Sequence, residues 1–178
     1  MTKEYLARKK LLYKLCVAKS DITSAMTACK YLISSVKNTD DPLYLPLLNA
    51  IIVCYSRPFT NNKPLGSLPR KWHKFGGQKH RTIHGTLLTF RHKIIAHSDL
   101  KYRPVFIYPP GTLPSIAGAI TAGLKITVVD KRLPLYFFPE ILKMCLNLVN
   151  RLDIEIQKQV QSLFDIQSLS AKKFELIF

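Results

Sequence analysis

From Leu11 to Val36 the residues Leu11, Leu15, Ala18, Ile22, Ala25, Cys29, Leu32 and Val36 recur at spacings of four and three without a lapse. Side chains three and four apart share one face of an α-helix, so the pattern draws a single seam along a helix from Lys3 to Lys37. Such a helix is roughly 50 Å long, with a candidate break at Ser20-Asp21. A seam of that length has to be covered by other helices, which is the condition for a bundle. The outer positions carry Arg8, Lys9, Lys10, Lys14 and Lys19, either a solvated face or a set of phosphate contacts.

The downstream pattern agrees. Asn38-Thr39-Asp40-Asp41-Pro42 stops one helix and starts another, with Asp41 as N-cap and Pro42 at the first helical position. The second helix runs to about Ser56; its residues Leu43, Leu45, Leu47, Leu48, Ile51, Ile52, Val53 and Tyr55 make it apolar nearly all round, so it is expected to be buried. Arg57-Pro58 ends it. Thr60 to Lys79 sets Pro64, Gly66, Pro69, Gly76 and Gly77 among Lys and Arg residues and reads as a surface loop, with Trp72 either anchoring it or stacking on a base. Another helix spans His80 to His97. The last runs from Pro134 or Pro139 to about Phe164, with Ile141, Cys145, Leu148, Leu152 and Ile156 as its inner stripe. Between these two, Val105–Tyr108 and Lys125–Val129 read as short strands, a β-hairpin or flap inserted at about 101–130. The expected fold is all-α: an up-and-down helical bundle with that small insertion, forming one domain over residues 1–178.

Composition sets limits on the class. With 178 residues, 47% of them hydrophobic and 21% charged, the chain has enough material for one domain with a core. The longest apolar stretch, Leu43 to Tyr55, holds Pro46 and Asn49 and is too short to span a bilayer. No secretory signal stands at the start, so a cytoplasmic protein without a membrane partner is expected. Cys16, Cys29, Cys54 and Cys145 are scattered with no CxxC pair and read as reduced core residues, with no zinc site.

The net charge of +16 is unevenly placed. Between Asp41 and Asp99 there is no acidic residue, while nine Lys or Arg residues and all five histidines fall there. An acid-free basic segment that holds every histidine suits a site that grips a polyanion and moves protons. A solvated basic loop accounts equally for Lys63 to Lys79, and the helix dipole alone accounts for Arg57. No Asp/Glu cluster of the two-metal type lies around the window, so no metal and no other cofactor is expected in the chemistry.

Within this window Ile83, Leu87, Phe90 and Ile94 form an apolar stripe, flanked by His84 and Arg91 on one side and His97 on the other. His80, His84 and Arg91 share a face at spacings of four and seven. Arg91-His92-Lys93-Ile94-Ile95-Ala96-His97 resembles the R-x(4–6)-H motif of the HEPN superfamily, and Ala96-His97-Ser98-Asp99 is similar to its bacterial, abortive-infection-like branch. The resemblance implies a helical bundle with the motif late in an inner helix. It further implies a ribonuclease acting as a dimer with a composite site, leaving a 2′,3′-cyclic phosphate and a 5′-hydroxyl. In one branch of the family a tyrosine two residues after the motif histidine is modified by a partner enzyme. Asp99 stands there in this chain and Tyr102 is out of register, which puts that control in doubt.

The residues themselves suit RNA cleavage by the RNA's own 2′-hydroxyl. His97 can move a proton near neutral pH, and Arg91 can hold the phosphate through paired hydrogen bonds. His84 is a candidate second proton carrier. His92, Lys93, Arg57, Lys71, Lys74 and His80 are candidate RNA contacts. Six residues on an ideal helix turn a side chain by roughly 120°, so two copies of the motif helix around a two-fold axis would be needed to bring both pairs into one cleft. The expected function is therefore a metal-independent endoribonuclease, a toxin of a toxin–antitoxin or phage-defence system, working as a homodimer and checked by an antitoxin protein. The alternative is a catalytically silent HEPN module that binds nucleic acid, a nucleotide or a partner. In that reading Arg91 pairs with Asp99 and His97 caps the helix.

Overall fold

The computed structural model describes residues 3–61, 63–96, 104–109, 125–128 and 130–164. Four α-helices carry the architecture: α1 (Lys3–Ser35), α2 (Tyr44–Ser56), α3 (Gln78–Phe90) and α4 (Phe138–Leu163). The seam of α1 is buried as the spacing requires, except that Leu12 takes the fully covered place beside half-buried Leu11. No break interrupts α1 at Ser20-Asp21. The helix packs along its length on α4 and α2. On α4, Phe138, Ile141, Met144, Cys145, Leu148 and Leu152 are buried against it, with Ile156 half-buried at the end of the stripe.

The start of α2 differs from expectation. The helix begins at Tyr44, and the Asp41 carboxylate accepts the Leu43 N–H at 2.9 Å while the Asp41 carbonyl accepts the Tyr44 N–H. Asp41 thus closes a turn just ahead of the helix instead of capping it, because its short side chain reaches the backbone two residues on. Pro46, Asn49 and Ala50 are exposed, so α2 is not buried all round; Tyr44, Leu48, Ile51, Ile52 and Tyr55 mark its inner face. The helix tightens into a 3₁₀ turn, Arg57–Phe59, where Pro58 cannot continue the α ladder.

Residues 60–77 form more than a surface loop. Leu68, Trp72 and Phe75, at spacings of four and three, are buried in the core, and the Leu68 N–H donates to the Pro58 carbonyl at 2.7 Å. A 3₁₀ turn, Arg70–His73, presents Trp72 inward and the charges outward. Gly66 sits at φ +70, the left-handed conformation that glycine adopts without strain.

Strands β1 (Val105–Tyr108) and β2 (Lys125–Val128) pair antiparallel, with Val105 opposite Val128 and Tyr108 opposite Lys125. Val105, Phe106 and Ile107 are exposed. The connecting residues, and the expected turn in the tail 165–178, lie outside the described residues. The chain re-enters the bundle at Leu133, whose N–H and C=O are both bonded to the Tyr44 hydroxyl at 2.8 and 2.6 Å. No described helix is long and apolar enough to cross a membrane.

Candidate functional site

The motif helix is α3, and it changes character where the motif starts. Ile83, Leu87 and Phe90 are buried as the stripe requires. From Arg91 to Ala96 the helix widens to π geometry. The adjacent β-branched Ile94 and Ile95 weaken the α preference of this stretch. A π turn shifts the hydrogen-bond ladder to i→i+5 and rotates the residues beyond it relative to an α-helix. The rotation expected between Arg91 and His97 on an ideal helix ends on a residue outside the described ones. Arg91 is half-buried, with its backbone N–H shared between the Leu87 and Leu88 carbonyls. Among the described residues no carboxylate pairs with its guanidinium. His92 and Lys93 follow on the same turn, both exposed. For Ile94 only the backbone is described, and His97 lies outside the described residues.

His84 is 9% exposed and sits among aromatic rings. Its Nδ1 lies 2.8 Å from the Tyr55 hydroxyl, and the rings of Phe59, Phe75 and His73 are centred 4.7, 5.0 and 5.5 Å away. Burial, with a smaller contribution from neighbouring His73, lowers its pKa to about 4. The imidazole is therefore neutral at pH 7, and its Nδ1 is satisfied by Tyr55, whose hydroxyl also reaches Met144 Sδ at 3.7 Å. Such a ring ties α3 to α2 and α4. Nothing in the spacing of the sequence joins Tyr55 and His73 to His84; only the packing does.

The remaining predicted contacts are dispersed, and acids from outside the window reach into it. His80, one turn before His84, has Nε2 3.9 Å from Glu140, which also holds Lys79 at 2.9 Å. The hydrogen bond and charge of Lys79 keep the Glu140 carboxyl below its usual range. Arg57 meets Asp21 of α1 at 3.3 Å, and Lys71 meets Glu155 of α4 at 3.3 Å. Lys74 is exposed. Arg151 of α4 donates to the Lys71 and Lys74 carbonyls at 3.2 and 3.1 Å and lies over the Trp72 ring. Sequence reading missed Arg151, which clamps the basic turn that carries both lysines. The acid-free window of the sequence is thus partly neutralised in space by Asp21, Glu140 and Glu155.

Cys29 and Cys145 are buried in the core; burial raises the Cys29 thiol to about 12 and pushes Cys145 up further. Cys54 is half-buried. Cys16 is exposed, contrary to its expected core position, because it falls one place off the seam. No three His, Cys, Asp or Glu side chains among the described residues come together as a metal-binding group. No family model matches the chain, and no curated protein and no solved structure matches it.

Proposed function

We propose that this chain is a metal-independent endoribonuclease of HEPN type, the toxin component of a toxin–antitoxin or phage-defence system, with Arg91 and His97 as its catalytic residues. The observation that carries the reading is the setting of Arg91. It opens the π turn that ends α3, half-buried and without a carboxylate partner among the described residues. A cation kept partly out of water with no counter-charge among the described residues is suited to a phosphate, and π turns recur at functional sites. A mostly helical chain with Arg91 at the end of α3 supports the reading, since the resemblance implies a helical bundle with the motif late in an inner helix.

In this mechanism the 2′-oxygen attacks the adjacent phosphorus, the 2′,3′-cyclic phosphate forms and the 5′-oxygen leaves as a hydroxyl. His97 transfers a proton to or from one of these oxygens. Arg91 balances the charge that builds on the phosphoryl oxygens. A second copy of the chain completes the site across a two-fold axis. His84, neutral and bonded to Tyr55, is a positioning residue for α3 in this reading, and the burial that lowers its pKa argues against a role as second proton carrier. A silent binding module is the second reading, and the pairing of Arg57, Lys71 and Lys79 with Asp21, Glu155 and Glu140 favours it.

The test is cleavage of a fluorescent single-stranded RNA by the purified protein in EDTA, with the product ends identified. Arg91→Ala and His97→Ala are each expected to lose about a hundredfold or more in rate while remaining folded dimers. Mixing the two inactive variants should restore part of the activity, since a mixed dimer can hold one intact pair. Equal cleavage by the parent and by His97→Ala would overturn the mechanism. RNA binding by the parent without cleavage would leave the silent module.

A further inference from the structure

A cavity of about 280 Å³ opens where the first turns of α3 meet the start of α4. Gln78, Thr82 and Ile83 line it from α3, and Tyr136, Phe137 and Glu140 from the other side. Ile83 is buried and makes an apolar floor. Tyr136 is 73% exposed, and its ring is centred 5.2 Å from that of Phe137 at 47°. The Tyr136 hydroxyl has no hydrogen-bond partner among the described residues. An aromatic ring left this open, beside an apolar slot, contributes little to folding and offers a free π-face.

The rim is polar and mostly basic. Thr82 and Gln78 bring a hydroxyl and an amide, and the Gln78 carbonyl oxygen already accepts two bonds from Arg81, at 3.2 and 2.9 Å. Lys79, His80 and Lys143 act on Glu140, the carboxylate in the cavity lining, which Lys79 already pairs. An uncharged apolar partner would gain nothing from this rim. A flat ring joined to a phosphate would use both parts of it, the combination found where proteins hold single-stranded nucleic acid. Thr82 and Arg91 are nine residues apart, about 14 Å along a helix and half a turn around it, so the cavity lies on the other face of α3 from Arg91.

We infer that this cavity is a base-binding subsite: one nucleobase of a single-stranded RNA stacks on Tyr136 over Ile83, with its flanking phosphates toward Lys79 and Lys143. The inference rests on the RNA reading above and adds a specific place for a base remote from the cleavage residues. Two probes test it, a short RNA carrying 2-aminopurine and free 5′-AMP. Tyr136→Ala should weaken RNA binding about tenfold and abolish quenching of the 2-aminopurine, whereas Tyr136→Phe should keep both. In the parent, 5′-AMP should shift the backbone amide resonances of Thr82, Ile83 and Glu140, and the shifts should vanish in Tyr136→Ala. Because Tyr136 is exposed, circular dichroism should show both variants folded. RNA affinity unchanged in Tyr136→Ala, with those amides unmoved by 5′-AMP, would overturn the subsite and leave the RNA reading intact. If the parent binds no RNA, the RNA reading falls, and the 5′-AMP titration alone decides whether the cavity takes a base.

Discussion

The α1–α4 pair and the basic window between Arg57 and Ala96 are held together by different forces. Along α1 and α4 the contact is an apolar seam, with Leu15, Ile22, Ala25 and Cys29 on one helix and Ile141, Cys145, Leu148 and Leu152 on the other, all fully buried. Ion pairs such as Lys19–Asp153 at 2.5 Å stand at its edge. The window has its own buried anchors, Leu68, Trp72 and Phe75, but much of its order comes from polar groups. These are a histidine bonded to a tyrosine, an arginine clamp and carboxylates supplied by other helices. The difference separates two tasks. A seam of alkyl groups fixes shape and is indifferent to pH and salt, whereas a charged region can respond to a polyanion because its own pairs are exchangeable.

The sharpest way to break this comparison is to truncate each side. Ile22→Ala or Leu148→Ala should cost about 2–5 kcal/mol, measured by urea unfolding. If the loss is no greater than for Arg151→Ala, the seam is not what holds the fold. Acid should act next, and on the window. His84 has a folded pKa near 4 against an ordinary 6.5. Above pH 6.5 the ring is neutral in both states and contributes no penalty. As pH falls below 6.5 the unfolded chain takes up a proton that the folded chain refuses, so stability falls until about pH 4. The expected loss is about 3 kcal/mol. The lowered pKa values of Glu140 and Glu155 add losses only as pH falls through the carboxylate range. His84→Gln should flatten the upper part of this profile; an unchanged slope would assign the acid effect elsewhere.

Arg151→Ala should cost about 1 kcal/mol through the lost stack on Trp72 and two lost hydrogen bonds. Its clearer signature should be faster amide exchange at Lys71 to Lys74 with α1 unaffected. The smallest effect on stability is expected from Lys71→Glu, about 0.5 kcal/mol, since an exposed pair with Glu155 is replaced by a repulsion. The same change should weaken RNA binding severalfold and reduce its salt dependence. RNA affinity that ignored both would make this turn a solvated surface and nothing more.

Where residues report their environment through periodicity, the sequence was readable. The seam of α1 and the stripe of α4 rest on helical spacings, whereas the paired strands were read from short runs of β-branched and aromatic residues. The start of α2 was not, because an aspartate before a proline can cap a helix or close a turn, and only the next backbone bonds decide. In the loop, Leu68, Trp72 and Phe75 carried a helical spacing hidden among prolines, glycines and lysines. The candidate site was legible as a list of residue types but not as an arrangement. Arg91 stands at a π turn that no local pattern announces. His84 was read as chemistry, yet Tyr55, twenty-nine positions earlier, makes it part of the packing. The acid-free window was true of the sequence and untrue of the space around it, since charge neutrality is a tertiary property.

The bond pair between Tyr44 and Leu133 decides where the entry to α4 is anchored. One hydroxyl, as donor and acceptor, does for Leu133 what a neighbouring strand would do for a residue in a sheet. The return of the polypeptide to α4 is thereby registered on α2, by a contact that takes no part in the stretch between residues 96 and 130. Tyr44→Phe, which removes both bonds at once, should loosen the entry to α4 at Leu133 while leaving the α1–α4 seam intact.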